Sequence, residues 1–324
     1  MENLSPDSFQ NWLPYKLKIN DNELLLEWLY LGDIAFVHPF FDETIAACRQ
    51  QSSINLVHHE KRHTSLEFLI DVAQLITAVP PSLFIFHTSR CGSTLITQLL
   101  SLDEANIVVP EFELIDSILR LNEKKQIVPE STRKELLRSL IAIVGQRRKA
   151  TQKRLIIKLD SCHFYFYKEI RTLFPESRMA ILFRDPDSIL NSVERKPGIQ
   201  FVPELVDPRF FSLNDSDLPA YSVPGYANLV LAEMYKSIHE LAIYDPTILL
   251  LDYNNGMKQN IALLSQLLDI PGDFLERDEV KSRFNYHAKQ STEHFKKEEV
   301  IQNKSITEPT LEAYQKICRY LKGG

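Results

Sequence analysis

The chain has 324 residues, of which 44% are hydrophobic and 25% charged, a composition that is ordinary for a globular protein with a substantial core. Lys and Arg total 37 against 43 for Asp and Glu, a formal net charge of -6, so no overall basic field points to nucleic acid. The four cysteines show no CxxC pair or metal-ligand spacing, and no apolar run approaches the roughly 20 residues of a membrane helix. Together with a first segment that lacks the pattern of a secretory signal, these features predict a cytoplasmic protein that contacts neither membrane nor nucleic acid.

Residues 1–80 predict a mostly helical N-terminal extension that packs on the main domain. Apolar residues cluster at Leu24–Leu29, and Thr64 with Glu67 forms the pattern of a capping box before a periodic apolar run. Aromatic residues within 36–41 indicate packing against another surface. The segment carries no titratable cluster that resembles a site, and we assign it no function.

From residue 81 to 324, short apolar runs alternate with helical patterns. The main runs are Leu83–Phe86, Leu155–Ile157, Met179–Phe183 and Ile248–Leu251. Alternation of this kind is typical of parallel strands joined by crossover helices. The sequence therefore predicts an α/β fold, a P-loop-type doubly wound parallel sheet flanked by helices.

The alternation breaks at about 197–225, where prolines are interleaved with aromatic residues. A loop of this length is uncommon in a compact domain unless it is functional or disordered. It is either a surface insertion or a lid over an acceptor pocket, and its aromatic content favours the lid.

A small-residue loop, His87–Thr94, follows the first apolar run and precedes a helical pattern. Small residues let the backbone approach an anion, and the N–H groups and dipole of the following helix favour negative charge. This layout predicts a phosphate site. It is not an ATP loop, because Gly92 is followed by Ser93 where that loop carries a Gly-Lys pair.

Charged residues follow three of the predicted strands, and in open parallel sheets ligands bind at the carboxyl ends of strands. Arg90 follows the first strand, Lys158 ends the second, and Arg184 follows the third. The helix after Arg184 places Ser192 two turns further on. Arginine offers a planar fork and lysine a compact charge, so the set suits several phosphate or sulfate groups.

Four segments together resemble the sulfotransferases that use 3′-phosphoadenosine 5′-phosphosulfate (PAPS): FIFHTSRCGSTLITQLL, VPEFELIDSIL, IIKLD and LFPESRMAILFRDPDSILNS. The resemblance covers roughly residues 82–195, and its catalytic arrangement is most similar to that of the tyrosylprotein sulfotransferases. It implies a 3′-phosphate site at Arg184 and Ser192. It also implies that a loop binds the 5′-phosphosulfate, through Arg90, Cys91, Gly92, Ser93 and Thr94. Lys289 could substitute for the glycine-rich C-terminal phosphate loop of cytosolic sulfotransferases, which this sequence lacks.

The same resemblance implies the catalytic roles. Glu111 is the expected general base, Lys158 and Arg90 are the expected cations at the transition state, and Glu113 competes with Glu111 for the base. The resemblance implies PAPS as donor, its desulfated product PAP (adenosine 3′,5′-bisphosphate), and a hydroxyl or amine acceptor of unidentified structure. No metal is expected, because two side-chain cations replace the magnesium of phosphoryl transfer. Ser93 and Cys91 depart from the tyrosylprotein branch, which has threonine and serine there.

Two other functions remain open from the sequence. A small-molecule kinase would use ATP, and the missing Gly-Lys pair argues against it. A catalytically inactive module would keep the nucleotide cradle alone. The sequence does not indicate an oligomeric state.

Overall fold

The computed structural model describes residues 6–20, 23–32, 34–51, 54, 62–123, 125–214, 222–286, 302–303 and 305–323. Strands in these ranges are β1 Trp12–Asn20, β2 Glu23–Tyr30, β3 Arg62–Thr64, β4 Pro81–His87, β5 Asn106–Pro110, β6 Arg154–Lys158, β7 Arg178–Phe183 and β8 Leu249–Asp252. Helices are α1 Phe41–Gln51, α2 Leu66–Leu75, α3 Ser93–Leu100, α4 Glu113–Leu119, α5 Glu130–Val144, α6 Tyr167–Leu173, α7 Pro186–Arg195, α8 Val223–Tyr244, α9 Met257–Leu267, α10 Asp278–Arg283 and α11 Glu308–Gly323.

A parallel five-stranded sheet flanked by helices forms the centre of the fold and confirms the predicted α/β class. Its strand order is β5-β6-β4-β7-β8. The pairs β5/β6, β4/β7 and β7/β8 are parallel. All five residues of β5 and the last five of β7 are buried, as expected of strands that are covered on both faces.

The N-terminal segment contains a three-stranded antiparallel sheet, β1-β2-β3, besides its helices α1 and α2. The expectation of a helix over Leu24–Leu29 was wrong, because these residues belong to β2. The four successive residues 26–29 are buried, which places buried groups on both faces of the strand. One of them is Glu27, whose carboxylate accepts a hydrogen bond from Tyr15 Oη and pairs with Lys18 Nζ. Such a strand shows no clean alternation to separate it from a helix.

Helix α2 lies where the sequence predicts a helix, but it begins differently. Ser65 is its N-cap, and no side-chain hydrogen bond closes the cap. The expected capping box of Thr64 and Glu67 is therefore not formed. The Thr64 hydroxyl instead accepts a hydrogen bond from Trp28 Nε1 at 2.8 Å, which ties β3 to β2.

The chain divides into two compact units. The first consists of Met1–Ser82, Thr97–Lys158 and Leu173–Pro175, and the second of Leu83–Ile96, Leu159–Thr172 and Glu176–Gly324. In the first unit α2 packs on α5, and β1 packs on α4. In the second unit α8 packs on α7 and α11. The boundary near residue 80 between an extension and a main domain stays a prediction.

The described part of the predicted loop at 197–225 is anchored by its aromatic residues. Two short 3-10 helices, Ile199–Phe201 and Pro208–Phe211, lie within it, and all three of its phenylalanines are buried: Phe201, Phe210 and Phe211. Ile199 and Leu205 are exposed. Residues 215–221, including Tyr221, lie outside the described residues, so the lid stays a prediction.

Candidate active site

The predicted phosphate loop, His87–Thr94, belongs to the second unit and turns sharply between β4 and α3. Ser89, Arg90 and Gly92 have positive φ angles of 63°, 52° and 83°. The Ser89 N–H donates to His87 Nδ1 at 3.0 Å, which fixes the start of the turn. The Gly92 carbonyl accepts from the Ile96 N–H at 3.2 Å, so Gly92 stands at the entry of α3. The first N–H groups of a helix have no intrahelical acceptor, so the start of α3 is the part of this segment that is suited to an anion.

Glycine is required at position 92 for two reasons. Its φ of 83° lies in the left-handed region. A Cβ atom there would also lie 2.9 Å from Met257 Sδ and 2.9 Å from Tyr253 Cε2. The loop is thus packed at Gly92 against Tyr253 and Met257, two residues that follow β8.

Arg184, which follows β7, reaches the phosphate loop. Its Nη1 donates to the Arg90 carbonyl at 3.3 Å, and its guanidinium stacks over the Tyr253 ring at 4.3 Å from the centroid. A second contact holds the backbone of Arg184, because Tyr235 Oη donates to the Arg184 carbonyl at 2.6 Å. Burial, with smaller contributions from Tyr314, Asp185, Cys91 and Asp252, raises the pKa of Tyr235 well above its ordinary value. Tyr235 therefore remains a neutral donor.

Arg90 and Ser192 are linked through the end of α7. Arg90 Nη2 donates to the Lys196 carbonyl at 2.5 Å, and the Lys196 N–H donates to the Ser192 carbonyl at 3.0 Å. At the start of the same helix, Asp185 Oδ1 accepts from the Ser188 N–H at 2.7 Å. The structure therefore brings the predicted loop, Arg184 and the helix of Ser192 together within the second unit.

The three remaining loop residues are buried. Ser93 and Thr94 form the first turn of α3 and are 5% and 7% exposed. Cys91 is 1% exposed, so its thiol points away from solvent. Among the cofactor-binding residues implied by the resemblance, Lys289 lies outside the described residues.

Glu111 and Lys158 form an ion pair within the first unit. Lys158 Nζ lies 2.8 Å from Glu111 Oε1, with the lysine side chain fully buried and the glutamate side chain 20% exposed. Both follow from strand pairing: Pro110 is opposite Lys158 in the β5/β6 register, and the Glu111 N–H donates to the Lys158 carbonyl at 2.8 Å. Lysine is almost never fully buried unless it is paired. Glu111 supplies that partner, and the ion pair is a candidate functional element of the first unit.

The structure separates Glu111 from Glu113, the other carboxylate proposed as base. Glu111 has a φ of 48° at the end of β5, a conformation that directs the chain away from the strand. Glu113 is the first residue of α4 and is exposed. An acidic side chain at that position is explained by the helix dipole alone.

Two residues that contact candidate side chains, one in each unit, were missed as functional candidates. Tyr253 directly follows β8, so the rule that ligands bind at strand carboxyl ends could have identified it. The sequence predicts only a packing role for Phe40, yet its ring centroid lies 5.6 Å from Lys158 Nζ. No sequence signal links Phe40 to Lys158, because their contact depends on tertiary packing.

Among the described helices, none is both long and apolar enough to cross a membrane.

Comparisons with known proteins find only distant similarity. Neither the known family models nor the curated proteins match the sequence. Among solved structures, the chain is similar to the sulfotransferase domain from the curacin biosynthetic pathway, with 16% identity, 65% of this chain and 80% of that chain covered, and a TM-score of 0.43. Sulfotransferase STF9 from Mycobacterium avium is 13% identical over 88% of this chain and 84% of its own, with a TM-score of 0.43. Retinol dehydratase in complex with retinol and PAP is 15% identical over 81% and 87%, with a TM-score of 0.33. Matches at this distance assign no activity to this chain.

Proposed function

We propose that this protein transfers a sulfuryl group from PAPS to a hydroxyl or amine acceptor. The observation that carries the proposal is the contact between Arg184 and the phosphate loop, whose backbone carbonyl at Arg90 lies 3.3 Å from Arg184 Nη1. The loop lacks the lysine of an ATP site, and an arginine from a neighbouring strand supplies a cation to it instead. The order of the four family-like segments in the sequence supports the same donor.

In this proposal the nucleotide is held by the second unit. The loop amides and the hydroxyls of Ser93 and Thr94 bind the 5′-phosphosulfate at the start of α3. Arg184 and Ser192 bind the 3′-phosphate, the group that distinguishes PAPS from ATP. Cys91 contributes only backbone groups to the proposed phosphosulfate site, since its thiol is buried. Lys289 remains a proposed contact of the nucleotide.

The chemical step uses the Glu111–Lys158 pair, in an arrangement like that of the tyrosylprotein branch. The acceptor oxygen or nitrogen forms a bond to sulfur while its proton passes to the Glu111 carboxylate. The bond between sulfur and the bridging oxygen of the 5′-phosphate breaks, and its electron pair stays on that oxygen as PAP forms. The Lys158 ammonium and the Arg90 guanidinium stabilise the charge that develops on the transferred group and the leaving oxygen. The proposed step needs no metal ion.

Radiolabelled PAPS tests the proposal against a panel of acceptors: 4-nitrophenol, a tyrosine-containing peptide, a hexose and an aliphatic amine. Label transfer to at least one acceptor is expected. Glu111→Gln should lower kcat by about 10²–10⁴-fold, the usual contribution of a general base. Glu113→Gln is the matched control and should leave kcat within about twofold, since loss of an exposed side chain outside the site changes little.

Three results would overturn the assignments. Label transfer that is unchanged in both Glu111→Gln and Lys158→Ala would remove this pair from the chemistry. Turnover of ATP with magnesium, together with no transfer from PAPS to any acceptor, would favour the small-molecule kinase. Binding of PAP without any transfer would favour the inactive nucleotide-binding module.

A further inference from the structure

An aromatic segment of the N-terminal region reaches the Lys158–Glu111 pair. Phe36 and Phe41 are 5% and 0% exposed, and their ring centroids lie 5.1 Å apart. Phe41 in turn packs on Phe112, with the centroids 4.2 Å apart. Phe112 directly follows Glu111 in the chain. The segment is therefore anchored on the same turn that carries the proposed base.

Phe40 lies between these two anchors and faces the lysine. Its ring centroid is 5.6 Å from Lys158 Nζ, within the range of a cation–π contact, and the ring is itself only half-buried. Lys158 is fully buried, although its partner Glu111 is 20% exposed. The ammonium thus has a carboxylate oxygen at 2.8 Å and the face of an aromatic ring at 5.6 Å.

We propose that Phe40 is a positioning residue of this site: its ring shields the Lys158 ammonium from water and holds it toward Glu111. A half-buried phenylalanine over a buried ammonium excludes water more completely than a mobile polar side chain would. Electrostatic stabilisation by a fixed cation is strongest where water is excluded. The catalytic consequence rests on the proposed function, whereas the shielding of Lys158 does not.

Chemical labelling of the full-length protein tests the shielding without any nucleotide. Reductive methylation with formaldehyde and cyanoborohydride, followed by peptide mass spectrometry, gives the labelling rate of Lys158. Phe40→Leu, which removes the π-face and keeps an apolar side chain, should raise this rate by about 2- to 30-fold, the range that loss of a cation–π contact corresponds to. Phe40→Tyr keeps the ring and should restore the wild-type rate.

Phe36→Leu is the matched control. It makes the same substitution in the same segment and also removes a cation–π contact, since Arg148 lies 4.6 Å over the Phe36 ring. The labelling rate of Lys158 should stay within about twofold of wild type in this variant, since single-site effects usually remain local. Melting temperatures confirm that each variant is folded, and Phe40→Met replaces Phe40→Leu if the latter does not fold. An unchanged rate in the Phe40 variant, or an equal rise in Phe36→Leu, would overturn the proposal.

Hydrolysis of PAPS in the absence of acceptor gives the catalytic readout. Water then takes the acceptor position, so its oxygen bonds to sulfur and the products are sulfate and PAP. Admission of water by Phe40→Leu should raise hydrolysis relative to transfer, and Phe40→Tyr should not. If wild-type protein fails to bind PAP while the labelling result holds, the proposed function fails and the shielding of Lys158 stands. If PAP binds and transfer occurs but labelling is insensitive to Phe40, only the role of Phe40 fails.

Discussion

Two of the seven described non-glycine residues with a positive φ angle are candidate site residues. Arg90 and Glu111 have φ angles of 52° and 48°, although neither is glycine. A left-handed conformation costs an ordinary residue roughly 1–2 kcal/mol, so the surrounding structure must fix it. Such conformations cluster at functional sites, where they aim a side chain or a backbone group. The left-handed conformation of Arg90 lies in the turn of the predicted phosphate loop, and that of Glu111, the proposed base, lies directly after the end of β5.

Gly92→Ala should disable the phosphate loop. A methyl group would meet Met257 and Tyr253 at 2.9 Å and would also force alanine into the left-handed region. We expect a loss of about 1–3 kcal/mol in the free energy of unfolding, together with weaker binding of PAP. Urea unfolding and calorimetric titration measure the two effects. Gly272→Ala is the control, because nothing lies within 4 Å of its Cβ position. Equal effects of both substitutions would show that the packing around Gly92 is unimportant.

The Glu111–Lys158 pair predicts a non-additive effect on stability. Glu111→Ala leaves the buried Lys158 ammonium without its carboxylate, and the expected loss is about 2–3 kcal/mol, below the ~3–5 kcal/mol of a fully buried pair because Glu111 keeps contact with solvent. Adding Lys158→Met removes the charge and should recover most of that loss. Unfolding free energies of the single and double variants measure this coupling. A double variant that is less stable than Glu111→Ala would contradict it.

At the scale of elements, strands that are buried on both faces were the most predictable feature. Strands β4, β6 and β7 appear in the sequence as apolar runs bounded by turns, because both faces are covered. Strand β8 was also located by its apolar run, although only the last two of its four residues are buried. Strand β5 was missed, since its short apolar run ends at Pro110, and proline is unusual within a central strand. The residues at strand ends could be predicted for the same reason, since a strand that is located also locates its end.

Contacts between distant segments could not be predicted from the sequence. The N-terminal sheet contains Glu27, a buried carboxylate whose partners come from β1 and β3, and a local pattern does not reveal such partners. The contact of Phe40 with Lys158 likewise joins a loop before α1 to the end of β6. Periodicity reports which face of an element is buried, but not what covers it.

The end of α8 predicts a pH-dependent contribution to stability. Asp245 Oδ2 accepts a hydrogen bond from Tyr167 Oη at 2.6 Å and lies 2.7 Å from Arg171 Nη2, which ties α8 to α6. Burial alone would raise the pKa of Asp245, but hydrogen bonds from Thr247 and Tyr167 and the charge of Arg171 lower it below its ordinary value of 3.8. A carboxyl group whose pKa is lower in the folded state stabilises the protein at pH values above the pKa of the unfolded chain. This stabilisation is lost as the pH falls through the pKa of the folded state.

Asp245→Asn should therefore cost about 1–3 kcal/mol at neutral pH, the usual effect of breaking a buried hydrogen-bonded charge. The difference from wild type should shrink as the pH falls below 3.8 and through the lower pKa of the folded state, where the Asp245 carboxyl group becomes protonated. Urea unfolding at neutral and acidic pH measures this difference in the free energy of unfolding. Asp273→Asn is the control, since that side chain is 71% exposed in its pair with Arg277. A difference that is constant with pH would contradict the assignment.

At the scale of the whole molecule, a net charge of -6 gives no general attraction for an anionic nucleotide. Binding must then come from the local cradle, and it should depend on the 3′-phosphate. A ligand that binds only the folded state stabilises it by about 2.7 kcal/mol at a concentration of 100 Kd. For a chain of this size that corresponds to a rise of about 3–6 °C in melting temperature. PAP should produce this rise, and ATP or adenosine 5′-phosphate at the same concentration should produce less.

Arg184→Ala should remove the advantage of PAP over adenosine 5′-phosphate, because the proposed 3′-phosphate contact is lost while the loop amides remain. A loss of about 10- to 100-fold in affinity for PAP is expected from a charge-assisted contact of ~1.5–3 kcal/mol. Arg209→Ala is the control, since this arginine belongs to the same unit, is 61% exposed and pairs with Asp207 on the surface. Thermal shifts of the two variants with both nucleotides complete the measurement. A PAP preference that survives in Arg184→Ala would place the 3′-phosphate elsewhere, and a larger shift with ATP and magnesium would indicate that the cradle serves a different nucleotide.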